Sequence, residues 1–83
     1  MTDQPARVTP SEISALLDHA RRLGPGSSLD EQIAYHERKA LLLSRIAADL
    51  GTPEAYQAAA DAWRYVRTLT ALRAAAASRE VTE

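Results

Sequence analysis

Apolar residues recur at helical spacing in three stretches of the chain, each opened by a cap and closed by a breaker. In the first, Ile13, Leu16, Leu17, Ala20 and Leu23 follow "TPSE". There Thr9 stands as an N-cap, Pro10 as the first helical residue and Glu12 as the reciprocal member of a capping box. Gly24, Pro25 and Gly26 close it, because glycine accepts a left-handed exit and proline cannot continue the hydrogen-bond ladder. The pattern predicts a helix over 10–23.

The second stretch restarts at "SSLDE", where Ser28 and Glu31 repeat the capping relation and the acidic pair Asp30 and Glu31 suits the positive end of a helix. Leu29, Ile33, His36, Ala40, Leu43, Ala47 and Leu50 then alternate steps of four and three, a coiled-coil-like seam that ends at Gly51. The third opens on Thr52 and Pro53 of "TPEA". It carries Ala55, Ala59, Ala62, Trp63, Val66, Leu69, Leu72 and Ala76 with no breaker before about Ser78. Helices are therefore expected over 29–50 and 53–78. Residues 1–8 and 79–83 lack burial partners and are expected to fray.

Lengths then suggest the architecture. At about 1.5 Å per residue the second and third helices exceed 30 Å, while the first is nearer 20 Å. Folded back at Gly51, residues equidistant from the turn meet: Trp63 near Ala40, Val66 near His36, Leu69 near Ile33 and Leu72 near Leu29. Large rings over small residues and leucine over isoleucine are the complementarity a helical seam needs. The expectation is an all-α, single-domain three-helix bundle built on a long antiparallel helical hairpin, with a shorter N-terminal helix laid against the end near its own loop.

"IAADLGTPEAY", residues 46–56, resembles the middle of a DNA-reading helix-turn-helix, with Ala47 small at a crossing and Gly51 in the turn. The departures weigh more. Thr52 stands where an apolar residue usually follows the glycine, and Gln57 stands where another is expected. A recognition helix offers Arg, Lys, Asn, Gln or Ser from its first turns. This one opens "PEAYQAAAD", with two carboxylates that repel phosphate. The hairpin bend is the better reading. The nucleic-acid alternative keeps Gln57, Arg64 and Arg67, the last two one turn apart around Tyr65 in "WRYVR", although Asp61 can neutralise Arg64 at i, i+3.

Composition narrows the chemistry. Of 83 residues 46% are hydrophobic, but seventeen are Ala, Phe is absent and Trp63 is the single tryptophan, so burial per residue is low and an assembly partner becomes attractive. The net charge of −1 provides no global basic surface for nucleic acid. Without cysteine there is neither a disulfide framework nor a thiolate zinc site. No segment has the length and apolarity of a membrane span or the apolar core of a secretion signal. A soluble, cytoplasmic chain is expected.

Catalytic and cofactor motifs fail on inspection. "HERKA" carries Ala40 where the zinc helix H-E-x-x-H needs its second histidine, and "LGPGSS" has neither the strand nor the lysine of a phosphate loop. Serine and threonine concentrate at caps, where their oxygens serve backbone N–H groups. No enzyme activity, cofactor or metal is expected. His36 sits on the seam and changes charge within the physiological range, which makes it the candidate pH-responsive group, with a half-exposed ring at the seam edge the expected setting.

The three leucines at 41–43 spread over about 200° of helix surface, more than one neighbour can bury. Together with the shortness of the first helix this predicts an apolar patch at the hairpin's far end: Leu42, Ile46, Leu50 and Tyr56. The functional expectation is a small non-enzymatic protein–protein interaction module, an adaptor or regulator, joining itself as a homodimer or another protein through that patch. Its rival is a nucleic-acid-binding accessory or transcriptional regulator.

Overall fold

The computed structural model describes residues 8–81. Three helices follow one another: α1 (Pro10–Arg22), α2 (Leu29–Leu50) and α3 (Pro53–Val81). Both capping boxes form. Thr9 accepts from the Glu12 backbone N–H at 3.2 Å and returns its own N–H to Glu12 Oε1 at 2.9 Å; Ser28 and Glu31 do the same at 3.1 and 2.7 Å. Each box satisfies two N–H groups that the helix itself leaves without partners. Thr52 caps α3 by accepting from the Ala55 N–H at 3.2 Å.

The helix exits differ from one another. Gly51 takes the left-handed conformation, φ 69°, and its N–H bonds to the Ala47 carbonyl at 2.8 Å, so α2 stops sharply. α1 was expected to stop the same way at Gly24, but Gly51 is the one positive-φ glycine among the described residues. Instead α1 ends on an extended Leu23, φ −75° and ψ 144°. The chain then turns through Pro25 with Gly24 and Ser27 bonded to each other in both directions, Gly24 N–H to Ser27 Oγ at 2.9 Å and Ser27 N–H to the Gly24 carbonyl at 3.0 Å. A residue before proline is biased toward extended conformations, which disfavours further helix there. α3 outruns its expected end at Ser78 and is helical through Val81, since nothing in the Ala-rich run breaks it. Of the two expected frayed tails, residues 1–7 and 82–83 lie outside the described residues.

α2 and α3 form the antiparallel hairpin. Contacts step outward from Gly51 in order: Trp63 Nε1 donates to Ser44 Oγ at 2.9 Å, the Tyr65 and His36 rings meet edge to face at 4.6 Å, and Arg73 donates to Asp30 at 3.0 Å. Side-by-side packing along this whole length is a hairpin, not the steep crossing of a DNA-reading pair. The core is Ile33, Ala40 and Ala47 from α2 against Ala59, Val66 and Leu69 from α3, with Leu42 the remaining buried residue. Alanine at three of these positions brings the helix axes close, and the isoleucine, valine and leucine fill the space between. Leu72, expected to face Leu29, is instead exposed. The inward row of α3 continues from Leu69 to the half-buried Ala76, which leaves Leu72 turned out.

The position of Leu42 shows where α1 sits. Leu42 and Ala40 are both buried, although two residues apart on a helix means about 200° of rotation. α2 therefore has a neighbour on each of two sides, α3 over Ala40 and α1 over Leu42. α1 packs against α2 alone, and its backbone makes no approach to α3 among the described residues. The shorter N-terminal helix is thus laid against α2 and not against α3. The bundle is three helices with α2 in the middle.

Candidate functional site

The α1–α2 junction is held by polar and aromatic contacts. Arg45 grips Glu12 with both guanidinium nitrogens, Nη1 to Oε2 at 2.6 Å and Nη2 to Oε1 at 3.2 Å, the fork geometry that makes arginine–carboxylate pairs directional. This pair, with the backbone N–H and hydroxyl of Thr9, pulls the Glu12 carboxyl down to about 2. Toward the other end of α1 the His19 ring meets Tyr35 edge to face at 5.4 Å. Glu12, Ala15, Leu16, His19 and Ala20 supply the half-buried face of α1, with Leu23 just past its end, and Ile13 and Leu17 stay exposed. The reach of α1 to Arg45 explains why Leu42 is covered.

Between α2 and α3 a groove of about 560 Å³ opens on one flank of the hairpin. His36, Lys39 and Leu43 line it from α2, and Ala58, Asp61, Ala62 and Tyr65 from α3. The helical period sets this row: 36, 39 and 43 are successive turns of α2, and 58, 61, 62 and 65 those of α3. The His36 ring sits between Tyr35 at 4.8 Å and Tyr65 at 4.6 Å, edge to face with each. With His19 these rings form a ladder that crosses all three helices. Partial burial, then the Lys39 ammonium one turn away, lower the His36 pKa from its ordinary value of 6.5, because both disfavour the charged ring. His36 is thus the half-exposed seam-edge histidine that its spacing predicts.

The one carboxylate of the groove is engaged within its own helix. Asp61 Oδ1 accepts from Gln57 Nε2 at 2.9 Å and from Arg64 Nη1 at 2.7 Å. Two of the three residues that the nucleic-acid alternative needs are thereby turned to a single carboxylate of their own helix, and a phosphate would have to compete with it. Arg67 is exposed.

The four residues expected to form one apolar patch do not share a surface. Leu42 is 7% exposed beneath α1 and Ile46 is half-buried, while Leu50 is 61% and Tyr56 54% exposed. Leu50 lies two turns beyond Leu43 and falls on the groove flank. Tyr56 precedes the groove-lining Ala58 by two residues, which places it about half a turn round α3, on the opposite flank. The expectation treated the far end of the hairpin as one surface and did not phase its two helices against each other. Lys39 was overlooked, and Tyr65 was read only as part of the Arg64 and Arg67 face, for the same reason: both join the site once the groove row is traced turn by turn from His36. Trp63, expected as plain core, is half-buried with its indole N–H tied to Ser44.

Compared with models of known protein families, with curated proteins and with solved structures, the chain matches none. Among the described residues no helix is long and apolar enough to cross a membrane.

Proposed function

We propose that the chain is a non-enzymatic protein–protein interaction module, an adaptor or regulator that joins itself, and that its working surface is the groove flank of the hairpin. One observation carries this reading: Leu50, Tyr65 and Leu72 stand exposed on the flank that also holds the groove, two long helices wide and not covered by α1. Apolar surface of this kind gains from burial against a partner, with roughly 1.5 to 3 kcal/mol available for each large side chain fully removed from water.

The same groups argue against catalysis. Asp61 is held by Arg64 and Gln57, Glu12 by Arg45, and the hydroxyls of Thr9, Ser28 and Thr52 by backbone N–H groups, which leaves none of them poised as acid, base or nucleophile. A cytoplasmic setting belongs to the reading, and a chain without cysteine is compatible with a reducing compartment.

Sedimentation equilibrium from tens to hundreds of micromolar tests the proposal. A dimer that becomes a monomer in Leu50→Asp supports it, since this leucine has almost no core role to lose. A chain that stays monomeric and is instead retained salt-dependently on heparin or duplex DNA would move the assignment to nucleic acid.

A further inference from the structure

Lys39 and Glu54 lie on the same flank of the hairpin, one on each helix. Lys39 lines the groove, and Glu54 stands one turn before Ala58 and two turns before Asp61, which both line it. Neither Lys39 nor Glu54 has an ion pair among the described residues. They cannot satisfy each other within one chain. The His36–Tyr65 contact puts Lys39 level with Ala62, about 12 Å along the hairpin from Glu54.

We propose that a second copy of this chain docks on the groove flank about a two-fold axis, so that Lys39 of each copy meets Glu54 of the other. The inference rests on the self-association just proposed and specifies how it occurs. A two-fold axis perpendicular to the hairpin and lying in the docked face reverses its direction and sets α2 against α2 and α3 against α3. Since α2 and α3 already run opposite ways, α2 of one copy runs parallel to α3 of the other, its diagonal neighbour. In parallel helices equal separations in sequence stay level. The separation from Lys39 to Glu54 equals that from Leu43 to Ala58 and that from Leu50 to Tyr65. Bringing one pair level therefore brings all three level.

Each pair is complementary in its own way. Lys39 and Glu54 oppose in charge. Leu43 lies level, across the diagonal, with a small residue that leaves it room, and both line the groove. Leu50 and Tyr65, at 61% and 46% exposure, are large apolar groups only partly covered within the chain. Leu50 is three turns beyond Lys39, as Tyr65 is beyond Glu54, which keeps each row on one face. Symmetry doubles every pair. The apolar contacts supply the driving force, and the ion pairs fix register and reject slipped alternatives.

Charge reversal tests this docking mode. Sedimentation equilibrium would compare the unmodified chain with Lys39→Glu, with Glu54→Lys and with the double variant, circular dichroism confirming that each remains helical. The expected result is a dimer weakened about ten-fold or more by either single reversal, through like charges set against each other, and restored in the double variant. Single reversals that leave the dimer unchanged, or a double variant that stays as weak as the singles, would overturn this mode and leave self-association standing. A monomer at every concentration in the unmodified chain would overturn both.

Discussion

Glu12 shows how one side chain can serve two purposes. Its carboxylate completes the α1 capping box and receives the Arg45 fork, so the same charge starts a helix and docks it. A carboxyl held at about 2, below its value in the unfolded chain, contributes stability that is fully present above pH ~4.5 and lost as pH falls toward ~2. The advantage of the native chain over Glu12→Gln in urea unfolding should therefore be constant near neutrality and vanish across that acid window. His36 acts at higher pH with the same sign. Its pKa lies below 6.5 in the folded chain, so the unfolded chain takes up the proton first and stability falls as pH drops below about 6.5. His36→Gln should flatten this upper part of the profile and leave the lower part in place. The half-buried Trp63 presents a different balance, apolar area with one hydrogen bond to Ser44. Trp63→Ala is expected to cost about 3 kcal/mol, and Ser44→Ala about 1 kcal/mol, in denaturant unfolding. A loss of partner binding with unmoved midpoints would make Trp63 a surface anchor instead.

Among the elements, α1 differs from the other two in having no buried residue. It rests on α2 through the Glu12–Arg45 pair and the His19–Tyr35 edge, and it covers Leu42 without contributing a buried side chain in return. Segments with few buried apolar contacts open at lower free energy than the global transition. Native-state hydrogen exchange should accordingly find α1 amides exchanging by local opening, well ahead of amides around Ile33, Ala40 and Val66 on the hairpin. The turn between α2 and α3 depends on Gly51 for conformation rather than for space. Its φ is 69°, yet an added Cβ would meet nothing within 4 Å. Gly51→Ala should then cost about 1 to 2 kcal/mol from backbone strain alone. Thermal unfolding measures it, and the hairpin register should be unchanged.

At the scale of the whole molecule, the arrangement of α1 and α3 on different sides of α2 settles which surface is left over. A triangular bundle would bring α1 against both partners and shield the hairpin from a third direction. Here α1 stays off α3 and the groove flank remains open. A small alanine-rich core leaves the monomer with modest burial, so association through that flank is expected to add stability in proportion to concentration. Thermal midpoints of the unmodified chain should rise as protein concentration increases, and those of Leu50→Asp should not.

The sequence by itself determined the three helices, both capping boxes, the stop at Gly51 and the hairpin, because caps, breakers and a four-three apolar period are local signals that act within a few residues. It also indicated that the leucines at 41–43 need more than one neighbour. Only the tertiary structure decided which neighbour each leucine takes: Leu42 goes under α1, Leu43 to the groove and Leu41 to solvent. It likewise turned Leu72 outward, tied Arg45 to Glu12 and sent Tyr56 and Leu50 to opposite flanks. These outcomes depend on the rotation of each helix about its own axis and on the side from which α1 approaches. An apolar row wider than one interface is compatible with several such rotations, and it is the packing of all three helices together that selects one.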